Sequence, residues 1–382
     1  MLSFLLVAIV TSLILILIHI QIDRMTLAKF PQKTGFYKTL KLRVDEYFAE
    51  ENLHYHGNWR IFLKTGIILI GYITCYISLV FFTHNIWVAL LIGFLLSQFY
   101  VMIGFNIQHD ANHNSYSNHS WLNKLGSLSL DFVGGSSALW KQAHNFLHHT
   151  YTNIDNIDAD METLSLLRLN PHQEWKPWHR FQHLYFVFIY AILLFYWIYL
   201  SDFQKLITGK IGDYKLPKLG YKRLSILLSF KAFYIFYALI LPSFFHPISH
   251  VIIANLLILG MVGFNLSIIF NLAHIMNKNE FPMIKGQYLQ DEWAIHQVKT
   301  TANFATDNWF LTWYLGGLNF QIEHHIFPRM SHIHYPNIHS IVKQTCQEFN
   351  IDYVNYGTIW EATIEHIKYL QDLGKPQFVI DN

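Results

Sequence analysis

The sequence predicts an all-α integral membrane protein: two transmembrane hairpins plus an extra N-terminal span, with a helical cap holding a histidine-rich dimetal site. Three observations carry this prediction. Of the 382 residues 52% are hydrophobic and only 14% charged, and the mean hydropathy is positive, a balance that soluble domains rarely show. Apolar runs recur that are long enough to cross about 30 Å of hydrocarbon at about 1.5 Å per residue. Three tight histidine clusters follow the ends of such runs or stand near them: His109-Asp-Ala-Asn-His113, His144-Asn-Phe-Leu-His148-His149 and Gln321-Ile-Glu-His324-His325.

The first apolar run, 2–20, has no basic residue ahead of it and no small-residue cleavage signal after it, so a retained anchor is expected over 1–22. Arg24, Lys29, Lys33, Lys38, Lys41 and Arg43 follow and assign that side to the cytoplasm. Runs 62–82 and 86–105, joined by Thr83-His84-Asn85, form a hairpin that returns just before His109. Runs 230–245 and 251–272, with His246-Pro247 at the turn, form a second that ends just before His274. The run 181–200 could span by composition, but a crossing there would put His324 and His325 opposite His109. It is therefore expected to be re-entrant or interfacial, with basic residues from Lys205 to Arg223 after it. In 36–48, Phe36, Leu40, Val44 and Phe48 recur every fourth residue, which predicts an amphipathic helix lying on the membrane or packed on the protein's own cap. No repeat or linker divides residues 23–382, which are read as one domain.

The composition also excludes functions. A net charge of +2 without a basic stripe argues against nucleic acid. Cys75 and Cys346, the two cysteines, cannot build a disulfide framework or a cysteine zinc site.

Residues four apart share a helix face, so His109 and His113 can address one ion, and His144 and His148 repeat the spacing. His149 is turned about 100° from His148, as suits a neighbouring ion. His324 and His325 lie three and four residues from Gln321. His274, at the end of the last span, makes eight histidines from four segments, more than one ion with open positions uses. A two-metal site follows. The other histidines of the 23, among them His54, His56, His119, His332 and His334, are expected on the surface or in loops. Imidazole suits zinc, copper, iron or nickel, and eight ligands exceed what structural or catalytic zinc takes. Asp110, Asp158, Asp160, Glu162 and Glu323 are candidates to orient ring N–H groups.

With these residues in view, the three boxes H-D-A-N-H, H-N-F-L-H-H and Q-I-E-H-H-I-F-P resemble those of the membrane fatty acid desaturases. Gln321, where other members carry histidine, is similar to the front-end and related bacterial acyl subgroup. The likeness runs from about Phe36 to Pro336 and includes Thr300-Thr301-Ala302-Asn303-Phe304 and Gly316-Gly317-Leu318-Asn319-Phe320. It implies a di-iron centre, O₂ as co-substrate, and removal of two hydrogens from adjacent carbons of an acyl chain linked to CoA, a carrier protein or a lipid. Carried over, His109, His113, His144, His148, His149, His274, His324 and His325 are the iron ligands. Gln321 is a weak ligand or hydrogen-bonding neighbour, and Asn271 a water-mediated contact.

A long apolar slot would exclude water, with Trp140, Trp309 and Trp313 as candidate walls. No H-P-G-G haem motif is present, so electrons are expected from a separate carrier such as ferredoxin or cytochrome b5 with its reductase. The active site is expected on the cytoplasmic face, in a bacterial inner membrane. A related di-iron hydroxylase, ketolase or acetylenase is the nearest alternative. A membrane zinc hydrolase would need zinc and no O₂, and a metal transporter would need ionisable residues deep in its spans, which are nearly free of charge.

Overall fold

The computed structural model describes residues 27–31, 34–284 and 286–378. The apolar run 2–20 lies outside the described residues. Helix α1 (Phe36–Glu50) is followed by the long helices α2 (Trp59–Phe82) and α3 (Ile86–Asn112), the shorter α4 (Ser120–Phe132) and α5 (137–151), and the 32-residue α6 (Pro177–Thr208). A second long pair, α7 (Tyr221–Phe244) and α8 (Ile248–His274), precedes the cap helices α9 (Trp293–Lys299), α10 (Trp309–Tyr314), α11 (Gln321–Ile326), α12 (Tyr335–Glu348) and α13 (Ile359–Leu373). The described sheet structure is slight. Strands β1 (Lys210–Ile211) and β2 (Tyr214–Lys215) pair antiparallel, and β3 (Asn303–Phe304) and β4 (Asn355–Tyr356) pair parallel.

Lipid offers no hydrogen bonds, so a spanning segment must satisfy its own backbone. Helices do this except at their first turns, where Asn58 accepts from the Arg60 N–H and Asn85 from those of Trp87 and Val88. The predicted hairpins form, but two of their boundaries move. Helix α3 does not stop at 105: it passes through a π-helical turn at Ile103–Gln108 into His109–Asn112. The first histidine cluster is thus the last turn of the apolar helix itself. Helix α7 starts at Tyr221, well before 230, because Lys222 and Arg223 interrupt the apolar pattern without ending the helix.

Helix α6, expected as re-entrant or interfacial over 181–200, is one of five described helices long and apolar enough to cross a membrane. It lies antiparallel along α8, where Gly263 permits close approach: a Cβ there would meet the Ala191 carbonyl oxygen at 2.7 Å. Tyr199 bonds Asn255 and Ser267 bonds the Tyr190 carbonyl on either side of that contact. The first turn of α6 and the segment past its last meet α5 and the loop after α5. His179 in its first turn bonds the Ser165 carbonyl at 2.9 Å, and Ile211, just past its last turn, packs with Leu147, Tyr151 and Ile157.

Helix α1 corrects the membrane-surface reading. Phe36, Leu40, Val44 and Phe48 are buried against Ala294, Val298, Phe320, Ile338 and Val342 of the cap, each such side chain contributing about 1.5–3 kcal/mol. Its apolar stripe therefore faces protein. The loop before α11 closes on the end of α3 through Gly316, at φ 61°. A Cβ there would meet the Phe105 carbonyl oxygen at 2.5 Å, so only glycine fits.

Candidate metal centre

The ends of α3, α5, α8 and α11 converge between the apolar helices and the cap, and all eight clustered histidines meet there. His109, His113, His144 and His324 each bring a nitrogen within 4.8 Å of the others, and so do His148, His274 and His325. His149 forms a third such group with His324 and His325, linking the first two. The residues thus form two adjoining ligand sets. The pairing within the second box differs from the α-helical expectation. Residues 141–148 form a π-helical turn, and although the His144 and His148 rings stack 5.0 Å apart, they fall in different all-histidine sets and share a group only with Asp160. His148, not His149, faces His274.

The hydrogen bonds show why a metal fits. A carboxylate or carbonyl oxygen only accepts, so a ring nitrogen bonded to one must carry the hydrogen, and the other nitrogen keeps its lone pair. His144 Nδ1 donates to Asp160 at 2.9 Å and His148 Nδ1 to Asp158 at 3.0 Å. His325 Nδ1 donates to Gln297 Oε1 at 2.8 Å and His274 Nδ1 to the Thr300 carbonyl at 3.4 Å. His324 Nδ1 donates to the Tyr335 hydroxyl at 3.1 Å, whose own hydrogen goes to the Met330 carbonyl. Nε2 of His113, His148, His274, His324 and His325 are buried without a partner, as is Nδ1 of His149, whose Nε2 meets His144 Nε2 at 3.2 Å. Each such orphan costs about 1–3 kcal/mol. Six in one place are a donor set that a bound cation would satisfy.

Burial, and then the neighbouring imidazoles, hold His113, His149, His324 and His325 well below the ordinary histidine range; burial and the same neighbours do so for His144. They are neutral near pH 7, as ligation requires. Burial also opposes charge on His148, but the Asp158 carboxylate and its hydrogen bond outweigh it and raise this ring.

Of the five expected orienting carboxylates, Asp158 and Asp160 hold ligand-set rings. Asp110 instead accepts from Ser331 Oγ at 2.8 Å and His332 Nδ1 at 2.9 Å, and Glu323 accepts from Asn303 and Tyr353. Glu162 lines the cavity described below. His332 and His334 are buried, not on the surface, whereas His54 and His119 are exposed. Gln297, Thr300 and Tyr335 escaped the sequence reading as orienting groups: Thr300 lay in a matched stretch without an assigned role, and nothing local marks Gln297 or Tyr335.

An apolar cavity opens onto the first ligand set. His109, His144, His324 and Gln321 form one wall, and Leu130, Val133, Leu193, Ile198, Leu266 and Phe270 supply much of the rest. Gln321 is buried there with Oε1 unpartnered, and Asn271 lines it while its amide donates to the Ser267 carbonyl. Trp140 lines it too, stacked 4.2 Å from the His144 ring. Trp309 and Trp313 do not: the first is 78% exposed, and the second carries the Lys64 ammonium 5.2 Å from its ring centre. Glu162, Thr163 and Lys205 add polar groups to the lining.

Known proteins match this chain along most of its length. It is 39% identical over 351 residues to the sn-1 linoleoyl-lipid 6-desaturase of Synechocystis sp., covering 91% of this chain and 98% of that one. It is 37% identical to the Arthrospira platensis protein of the same name, covering 90% and 94%. It is 35% identical to the acyl-lipid (8-3)-desaturase of Physcomitrium patens, covering 92% and 74%. The family model for fatty acid desaturases matches residues 85–357, from the start of α3 to the strand before α13. The chain therefore belongs to the fatty acid desaturase family and is an oxidoreductase that desaturates fatty acyl chains.

Proposed function

We propose that the chain inserts a double bond at carbon 6 of an acyl chain carried on a membrane lipid, using O₂ and electrons from a separate carrier such as ferredoxin or cytochrome b5 with its reductase. The observation that carries this reading is the cavity, which presents an apolar slot and four side chains of the histidine boxes to the same space. The relatives matched along nearly their whole length act, by name, at position 6 of a lipid-linked chain.

Two iron ions held by His109, His113, His144, His148, His149, His274, His324 and His325 would supply the O₂ chemistry that removes two hydrogens from adjacent carbons. The protein's part is placement. Leu130, Val133 and Ile198 hold the chain and exclude water, while Asp158, Asp160, Gln297 and Tyr335 fix the ring orientations. Gln321, with a free oxygen in the slot, is assigned a contact to the reacting region and not a full ligand position.

Topology follows from closure. His109 ends α3 and His274 ends α8, and both join one cluster, so the chain between them crosses the bilayer an even number of times. Helices α7 and α8 provide two crossings, which makes α6 an interfacial or re-entrant helix. Lys205, Lys210, Lys215, Lys218, Lys222 and Arg223 support a cluster on the cytoplasmic face, here of a bacterial inner membrane.

Expression in a host of defined lipids, followed by mass spectrometry of fatty-acid adducts, tests the reading. New 6-position double bonds in lipid-linked chains are expected. Hydroxylated chains without new double bonds, or double bonds at another position, would contradict it.

A further inference from the structure

We propose that Lys231 and Asp202 are a positioning pair that fixes the wall of the acyl cavity and thereby selects which carbons stand before the histidines. The proposal rests on reading that cavity as the acyl site. Lys231 lies within the apolar helix α7, and the pair's side chains are 4% and 0% exposed. A buried charge in such a helix is costly and calls for a specific use.

The contacts show the use. Lys231 Nζ donates to Asp202 Oδ2 at 2.7 Å, the Gly134 carbonyl at 2.6 Å and the Ile198 carbonyl at 2.9 Å. Asp202 Oδ1 accepts from Trp197 Nε1 at 3.0 Å. Trp197–Ser201 is a π-helical turn, a geometry that disturbs the regular carbonyl pairing of the helix and is common at functional sites; Lys231 takes one of those carbonyls. One ammonium thus ties α7 to α6 and to the turn between α4 and α5.

Each tied segment is cavity wall. Trp197, Ile198 and Ser201 line it from α6, and Val133 and Gly135, the neighbours of Gly134, line it from the turn. Two apolar side chains of similar volume would stabilise the fold about as well as a buried ion pair. They could not make directional bonds to two carbonyls and an indole. The pair therefore sets the spacing of the wall more than the stability of the bundle.

The test uses the full chain in the defined-lipid host, with iron content, accumulated protein, apparent KM and the positional isomers of the product measured together. Lys231→Arg keeps the charge but changes its reach, and the double variant Lys231→Met with Asp202→Asn removes both charges. Since about 1 Å of misplacement can cost on the order of a hundredfold in rate, a partial shift is expected to lower the ratio of principal to displaced isomer roughly tenfold while iron per chain stays at the parent value. Tyr76→Phe, which removes a partly buried hydrogen bond to α7 away from this cavity, is expected to leave the ratio unchanged. Should the double variant fail to accumulate, Lys231→Arg decides. Parent isomer ratio and parent KM in a Lys231→Arg protein made at parent levels would overturn the proposal. No new double bond from the parent chain would instead overturn the functional reading, and the pair's role with it.

Discussion

Two buried polar assemblies adjoin the apolar cavity, and their hydrogen bonding differs. In the histidine cluster five rings donate Nδ1 to protein acceptors, while six ring nitrogens are buried without partners. The Lys231–Asp202 pair has every bond made within the protein. An unsatisfied set of converging donors is a binding site in search of its ion, whereas a saturated pair has nothing left to offer a ligand and can only hold other groups in place. Burial alone would rank the two alike. The accounting of partners separates ligation from positioning.

The largest effect that would break this comparison is expected from removing a ligand. His148→Ala should abolish desaturation and reduce bound iron, read by product analysis and metal content of the purified protein. Asp158→Asn comes next. Losing the carboxylate that orients His148 Nδ1 should cost about 10- to 100-fold in metal affinity or activity, with the protein otherwise accumulating normally. Retention of full affinity would show that the negative charge on the acceptor of the Nδ1 bond is dispensable.

Acid should act on the same cluster. His113, His144, His149, His324 and His325 have lowered values in the folded protein, so between those values and the unfolded value of about 6.5 the unfolded chain binds more protons. Stability of the metal-free protein should therefore fall as pH drops below about 6.5, with raised His148 and Asp160 opposing the trend. Thermal unfolding in detergent across that range measures it, and a metal-free protein that gains stability on acidification would contradict it.

A smaller effect is expected at His332. This ring is buried between Asp110 and Lys64, so His332→Ala leaves a buried carboxylate short of a partner and should cost about 1–3 kcal/mol of stability. His119→Ala, at an exposed position, should change neither melting temperature nor activity measurably.

These sites also mark how far the sequence could be read. The eight ligand candidates were legible because close histidine spacing and apolar runs are local signals, and a single site on one side of the bilayer added His274. The split of His144 and His148 between ligand sets was not, because a π-helical turn has no signature in residue spacing. Nor was the burial of His332, which depends on Asp110 and Lys64 from distant segments. The start of α7 was hidden by Lys222 and Arg223, which read as the end of a basic loop but lie in the helix's first turn. Helix α1 showed its apolar stripe plainly, but a stripe does not say whether lipid or protein covers it.

Metal content of the purified full-length chain tests the central claim most directly. Two irons per chain are predicted, falling in His148→Ala and unchanged in His119→Ala. One metal per chain, or stoichiometric zinc without iron, would contradict the account.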